Sequence, residues 1–332
     1  MEVTAGIVVV AEATHVSEAR RRAADLSHAL GLDDVAAGRV ALVVTEMATN
    51  LLKHAGGGEV FVGQTEAPFR GVQIISMDRG RGIPNVDQSL VDGFSTFGST
   101  GTGLGAIKRV SDFFDIYTSP VGTVIAAGVL VQRTDKAPTV AGVCVPMRGE
   151  RECGDAWAVW SAGGLTSVFV VDGLGHGREA AHAARVAVAT FRRHAERPAP
   201  EVIALVHAAL KPTRGAAVAL AELDERSATL RYCAIGNIAA AIARPDGEEQ
   251  HLITLPGIAG HVARRVQTYS YAWPRGSLLV MHSDGIGTHW SLSRYAGLAQ
   301  HRPDVVAGVI YRDHRRGTDD ATTVVTRHGE AA

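Results

Sequence analysis

Two apolar runs in the second half of the chain end in the same way. Val168-Phe169-Val170-Val171 leads into Asp172-Gly173, and Leu278-Leu279-Val280-Met281 leads through His282-Ser283 into Asp284-Gly285. Short aliphatic runs bounded by glycine read as buried strands. Each therefore places a carboxylate where a buried strand emerges at a sheet end. A third acidic pair, Asp319-Asp320, stands just before the strand-like segment Thr322 to Thr326. If that strand runs antiparallel to the others, its beginning lies at the same end. Counting outwards from a hairpin turn at Gly163-Gly164 sets Asp155 opposite Asp172. Asp155, Asp172, Asp284 and either Asp319 or Asp320 then converge on one edge. Gathered carboxylates repel one another unless cations neutralise them, and an all-oxygen set suits Mg²⁺ or Mn²⁺ and not zinc. Two such ions can make hydroxide from a bridging water near neutral pH and clamp a phosphoryl group for in-line attack. Each aspartate alone also reads as a turn cap, but four independent caps at matching strand ends is the less economical account.

The 332 residues are enough for two domains. The polar, proline-ended stretch Gln132-Arg133-Thr134-Asp135-Lys136-Ala137-Pro138 is the expected boundary. It separates a first domain, 1–135, from a second, 140–329. Lysine and arginine total 33 against 34 acidic residues, which leaves no basic footprint for nucleic acid. With 46% hydrophobic residues, disorder as the main state is excluded. No continuous apolar run approaches the length of a membrane span, and Met1-Glu2-Val3-Thr4 lacks the basic start of a secretory signal. A cytoplasmic protein with no membrane contact is expected. Cys144, Cys153 and Cys233 form no close pair in sequence, so no disulfide framework or zinc site is expected. Helices mixed with hairpin-connected strands predict an α+β fold in both parts.

In the first part, Val16 to Leu30 carries Ala19, Ala23, Leu26 and Leu30 at helical spacing, and a second helix is predicted from about Asp33 to Ala55. On the second, Glu46, Asn50, Lys53 and His54 share a face beside the apolar stripe. Such a face can hold Mg²⁺ and polyphosphate through hard oxygens and an ammonium, and an ordinary solvated stripe has the same spacing. The strand Gln73 to Met77 then ends in Asp78-Arg79-Gly80-Arg81-Gly82, which reads either as a close backbone approach to a flat ligand or as an Asp-capped turn. Gly98-Ser99-Thr100-Gly101-Thr102-Gly103-Leu104-Gly105 opens directly into a helix and presents free N–H groups of the kind that bind phosphate.

In order and spacing these three segments resemble the N, G1 and G2 boxes of the GHKL ATPase superfamily, in particular the small serine kinases of the RsbT and RsbW type that regulate anti-sigma factors and stressosomes. The resemblance covers most of 5–131. It implies a Bergerat-type α/β sandwich that binds ATP with Mg²⁺, with Glu46 as general base and Asn50 on the metal. It also implies Asp78 on the adenine amino group, Gly80 and Gly82 against the base, and Gly101, Thr102, Gly103, Leu104 and Gly105 around the phosphates, with Lys53 assisting. Gly122-Thr123 resembles the late Gly-Thr element of the same family.

The second part, over roughly 143–328, resembles the metal-dependent PPM protein phosphatases in their bacterial SpoIIE and RsbX branch. The matching motifs are Gly154-Asp155, Asp172-Gly173-Leu174-Gly175-His176-Gly177, Ser283-Asp284-Gly285 and Asp319-Asp320-Ala321-Thr322. The resemblance implies a β-sandwich flanked by helices and two Mn²⁺ or Mg²⁺ ions. Asp172 would bridge the ions, the Gly173 carbonyl would add a ligand, and Asp284 and Asp319 would hold the second ion. Asp155 would act directly or through water. Two departures stand out: Ser277 occupies a position that is often Asp in the family, and no arginine is placed for substrate phosphate. The expected function is a partner-switching regulator that dephosphorylates phosphoserine or phosphothreonine on a STAS-domain anti-sigma antagonist or stressosome protein. A non-catalytic sequestering module, or a serine kinase regulated by its second domain, are the alternatives.

Overall fold

The computed structural model describes residues 5–66, 68–90, 103–134, 136, 138–262 and 266–329. The expected site residues Gly101 and Thr102 lie outside the described residues. The chain divides into two compact units, one reaching Pro138 and one beginning at Thr139, with Glu66–Pro68 grouped with the second.

The first unit is one antiparallel sheet covered by helices. Strands β1 (Gly6–Val10), β2 (Gly58–Gln64), β3 (Gly71–Met77), β4 (Phe113–Ser119) and β5 (Gly122–Leu130) stand in the order β1-β2-β3-β5-β4. Helices α1 (Ala13–Leu30) and α2 (Asp34–Asn50) pack on it, with the short α3 (Val86–Ser89) and α4 (Gly103–Val110) after β3. The apolar stripe of α1 is buried at Ala19, Ala23, Leu26 and Leu30, and Gly31 ends the helix in a left-handed conformation, φ 74°. Asp33 caps α2 by accepting from the Ala36 amide at 2.7 Å. The single helix expected up to Ala55 is in fact α2 followed by a π-turn, Leu51–Ala55. Such wide turns interrupt helices where a side chain must be re-aimed. Asp34–Ala55 taken together is also long and apolar enough, by length and composition, to cross a membrane, although its apolar residues do not form one continuous run. Its apolar residues Val40, Val43, Val44 and Met47 are fully buried in the core of this unit.

The second unit is a sandwich of two five-stranded antiparallel sheets. One runs β13-β10-β9-β8-β7, from β7 (Asp155–Ala162), β8 (Leu165–Gly173), β9 (Ala216–Asp224), β10 (Thr229–Ile235) and β13 (Thr268–Ala272). The other runs β12-β11-β14-β15-β6, from β6 (Val140–Val145), β11 (Ala239–Ala243), β12 (Glu249–His251), β14 (Leu278–His282) and β15 (Ala321–Arg327). Val168, Val170, Ala219 and Tyr232 of the first sheet meet Ile242, Leu279, Met281 and Val324 of the second in a dry core. Helices α5 (Gly177–His194) and α6 (Ala199–Leu210) cover the first sheet, burying Ala183, Ala187, Phe191, Val202 and Val206. Helix α7 (Pro303–His314) covers β6 and β15. It was not expected from sequence: every residue from Pro303 to Arg312 is buried, so no one-sided stripe marks it.

Cys144 and Cys153, nine residues apart in sequence, lie Sγ to Sγ 3.5 Å apart as free thiols. The loop between β6 and β7 folds back on itself, which spacing alone does not reveal. Ser277 is fully buried at the start of β14, at the opposite strand end from Asp284, so its departure from the family pattern lies away from the acidic edge.

The acidic edge depends on close backbone approach at Gly285, where a Cβ would overlap the Asp320 carbonyl oxygen. Gly285→Ala is expected to destabilise the chain by roughly 3 kcal/mol or more in urea unfolding. Gly317→Ala, where a Cβ meets nothing within 4 Å and only φ +75° is strained, should cost about 1 kcal/mol.

Candidate functional site

The hairpin of the second unit turns at Gly163-Gly164, with Ala162 opposite Leu165 and Asp155 opposite Asp172. In the other sheet, β14 and β15 are antiparallel with His282 opposite Thr323, so Ser283-Asp284 leave β14 beside Asp319-Asp320 entering β15. The two sheets are tied at this edge by the Ser283 hydroxyl, which donates to Asp155 Oδ2 at 2.6 Å and accepts from the Thr322 amide at 3.0 Å. Gly173 ends β8, paired with Ala216, and its amide donates to the Gly154 carbonyl at 2.9 Å.

The five aspartates differ in what already holds them. Asp320 Oδ1 and Oδ2 accept from the Met147 and Gly154 amides at 2.7 and 2.8 Å, so this buried carboxylate anchors the loop between β6 and β7. Asp319 Oδ1 accepts from the Asp320 amide at 2.9 Å. Asp284 Oδ2 accepts from Asn237 Nδ2 at 2.7 Å. Asp172, central to the edge, shares its electrostatic environment with all four others.

Burial pushes the Asp172 carboxyl up to about 9, and the charges of Asp155, Asp284, Asp319 and Asp320 add to it. Burial likewise pushes Asp155 up to about 7, with the Ser283 hydrogen bond opposing and Asp320 and Asp319 reinforcing. Asp284 is raised by burial and by Asp319, against the pull of Arg316 and the Asn237 hydrogen bond. Asp320 is raised by burial, against its two amide donors.

Among the described residues, no three Asp, Glu, His or Cys side chains converge tightly enough to enclose an ion unaided. The donor set nevertheless fits a hard divalent cation. Mg²⁺ commonly takes only one or two carboxylates and completes its shell with water, and the mutual repulsion of these carboxylates is what a cation would relieve.

Behind Asp284 stands His282, which sequence reading left out. Its Nε2 accepts from Trp290 Nε1 at 3.0 Å and its Nδ1 faces the Ser283 carbonyl at 2.8 Å. Both contacts require the neutral Nδ1–H tautomer. Burial lowers the imidazole to about 4, outweighing the Ser283 carbonyl. Asn237 and Ser283 were also given no role from sequence. Asn237 sits in the turn between β10 and β11, with nothing local to mark it, whereas Ser283 was visible only as part of Ser283-Asp284-Gly285. His176 precedes α5 and pairs with Glu150, Nδ1 to Oε1 2.8 Å.

In the first unit, Gly103 opens α4 directly over α2: a Cβ there would lie 3.2 Å from Glu46 Oε2 and 3.5 Å from Asn50 Oδ1. Gly105 is buried and Leu104 half-buried in α4, which packs against α2. Asp78 Oδ1 accepts from the Gly80 amide at 2.8 Å and the Thr123 amide at 3.2 Å. A Cβ on Gly80 would come within 3.1 Å of Ala55, at the end of the π-turn. Gly82 sets its backbone against Ser119, and the next amide, Ile83, donates to Thr118 Oγ1 at 2.8 Å. Lys53 is exposed on the π-turn beside His54, whose pKa is lowered by burial and then by Lys53 and Arg81.

The family model described as Stage II sporulation protein E (SpoIIE) matches residues 162–328. The histidine kinase-like ATPase domain matches residues 9–128. The serine/threonine-protein kinase RsbT of Bacillus subtilis (strain 168) is 34% identical over 99 residues, 30% of this chain and 74% of that protein. The phosphoserine phosphatase RsbX of the same organism is 23% identical over 138 residues, 42% of this chain and 69% of that protein. A solved structure from work on the bacterial stressosome as a modular system is 30% identical with a TM-score of 0.53, covering 57% of this chain and 98% of its own. RsbX in complex with magnesium shares the fold at a TM-score of 0.51 and 18% identity, over 57% of this chain and 94% of its own.

Two pH effects of opposite sign follow. Asp155 and Asp172 hold protons in the folded, metal-free chain up to about 7 and 9. Their contribution to stability is therefore present below about pH 4 and lost as pH rises through those values. Mn²⁺ must displace these protons, so calorimetry in buffers of different ionisation enthalpy should show proton release at pH 7 and affinity rising towards pH 9. His282, lowered to about 4, contributes stability that is full above pH 6.5 and lost as pH falls to 4. His282→Gln should remove about 3 kcal/mol of that acid-side slope in urea unfolding between pH 7 and 4.

Proposed function

The chain belongs to the SpoIIE family of PPM-type protein serine/threonine phosphatases and carries a histidine kinase-like ATPase domain ahead of it, and from this premise we propose that it is a cytoplasmic partner-switching regulator whose second unit dephosphorylates a phosphoserine or phosphothreonine on a STAS-domain protein. The observation that carries this reading is the single edge at which Asp155, Asp172, Asp284 and Asp319 gather from two sheets. Relatives that bear on the substrate are a phosphoserine phosphatase, a serine/threonine-protein kinase and a structure from the bacterial stressosome.

In this reading Asp172, the Gly173 carbonyl, Asp284 and Asp319 would hold the Mn²⁺ or Mg²⁺ ions. When bound, the ions supply an acidified water and charge neutralisation for the phosphoryl oxygens. Asp155 acts from one side, its second oxygen occupied by Ser283. Of the acidic pair left open by sequence, Asp320 has both oxygens on backbone amides, so the metal role goes to Asp319 and the anchoring role to Asp320. Asn237 orients Asp284 by taking one of its oxygens.

The first unit binds ATP with Mg²⁺ in the same reading. Asn50 would hold the metal, Glu46 would serve as base, and Asp78 would accept from the adenine amino group. Gly80 and Gly82 would border the base, and Gly103, Leu104 and Gly105 would bind the phosphates with help from Lys53. Kinase and phosphatase acting on one serine would only consume ATP. The two units therefore act on different targets, or ATP is a sensed ligand.

Turnover of a phosphorylated STAS-domain protein with Mn²⁺, with and without ATP, tests both parts. Asp172→Ala should lower turnover by about a thousandfold or more while the fold persists by circular dichroism; activity near wild type would overturn the metal-site reading. Asn50→Ala should remove Mg²⁺-ATP binding by calorimetry and leave the Mn²⁺-dependent phosphatase rate without ATP unchanged.

A further inference from the structure

A cluster of carboxylates and cations can activate water, but a phosphate monoester also brings oxygens that need fixed donors, and none of the residues assigned above supplies one. We infer that Arg214 and Arg316, in the loops that lead into β9 of one sheet and β15 of the other, grip the phosphoryl group of the substrate. The inference rests on the phosphatase reading of the second unit and adds its substrate-gripping residues.

Each arginine is held to the edge by backbone hydrogen bonding beside one of the two Asp-Gly strand ends. Arg214-Gly215 leads into β9, whose Ala216 and Ala217 pair with Gly173 and Asp172. The Gly215 carbonyl accepts from the Leu174 amide at 3.0 Å. The side chain follows the same direction: Arg214 Nη1 lies 3.4 Å from the position a Cβ would take on Gly175, inside the Asp172–Gly177 turn. On the other sheet, the Arg316 amide donates to the Gly285 carbonyl at 2.8 Å, directly after Asp284 and three residues before Asp319.

Both side chains are exposed, and among the described residues neither forms an ion pair. Neighbouring arginines are already committed: Arg178 and Arg185 to Glu152, Arg312 to Asp313, and Arg315 to the Tyr311 hydroxyl and ring. An unpaired guanidinium offers planar, two-pronged donation that suits phosphate and that lysine does not reproduce. No bond is made or broken by these residues; they bind the dianion and orient it towards the attacking water.

The test uses the full chain loaded with Mn²⁺ and two probes: inorganic phosphate, measured by calorimetry, and a phosphoserine peptide, measured by steady-state kinetics. Arg214→Ala and Arg316→Ala should each weaken phosphate binding and raise KM by about tenfold, the double variant by more, with kcat within about threefold. The lysine variants should recover only part of the loss, and Mn²⁺ affinity should be unchanged in all of them. Phosphate affinity at the wild-type level in the double variant would overturn the inference. So would a fall in kcat with KM and phosphate affinity unmoved, or a wild-type chain that binds no phosphate. Arginine-dependent phosphate binding in a chain that hydrolyses no phosphopeptide would support the grip and overturn the phosphatase reading instead.

Discussion

Carboxylates brought together at the end of a dry sandwich repel one another, and the second unit is arranged to hold them against that repulsion. The Ser283 hydroxyl bridging Asp155 and the Thr322 amide is the tie that fastens one sheet to the other at the point of greatest charge. Burial makes the repulsion stronger, since a low-dielectric interior screens charge poorly. Burial first, and then the neighbouring carboxylates, raise Asp172 and Asp155. A protein that keeps such a cluster stores electrostatic free energy that a divalent cation releases on binding, so stability, metal affinity and pH are linked through the same few side chains.

The supporting residues divide this work. Asp320 carries no free oxygen and pins the loop between β6 and β7, which also sets Cys144 beside Cys153. Asn237 and His282 hold the end of β14 at the same edge, one by gripping Asp284 and the other by bonding Trp290 and the Ser283 carbonyl as a neutral ring. The first unit uses backbone instead of charge. There the start of α4 lies over Glu46 and Asn50, and Asp78 is steadied by the Gly80 and Thr123 amides. Its sheet and α2 core keep the parts in register.

Much of this was legible in the residues, for identifiable reasons. A two-glycine hairpin leaves one register for β7 and β8, so the pairing of Asp155 with Asp172 could be counted without coordinates. The stripe of α1 was equally plain, because one face is apolar and the other is rich in arginine. Helix α7 was not legible, being buried on all sides, and neither were the edge strands β12 and β13, with Glu249-Gln250-His251 and Thr268-Tyr269-Ser270-Tyr271-Ala272 lacking an apolar run. The π-turn Leu51–Ala55 was not legible either, because helical periodicity read from sequence carries no sign of a wider turn.

The sequence by itself determined which strand ends carry carboxylates, where glycine lets backbone come close, and that the chain holds two units. These are local properties: strand periodicity, turn chemistry and composition act over a few residues. Tertiary structure alone decided which of Asp319 and Asp320 is occupied by backbone amides, which residues orient Asp284, and which arginines stand unpaired beside the edge. Those outcomes depend on contacts between Met147 and Asp320, Asn237 and Asp284, and Leu174 and Gly215, segments far apart in the chain. Hydrogen bonding between such segments is set by how two sheets pack, and no short-range pattern encodes it.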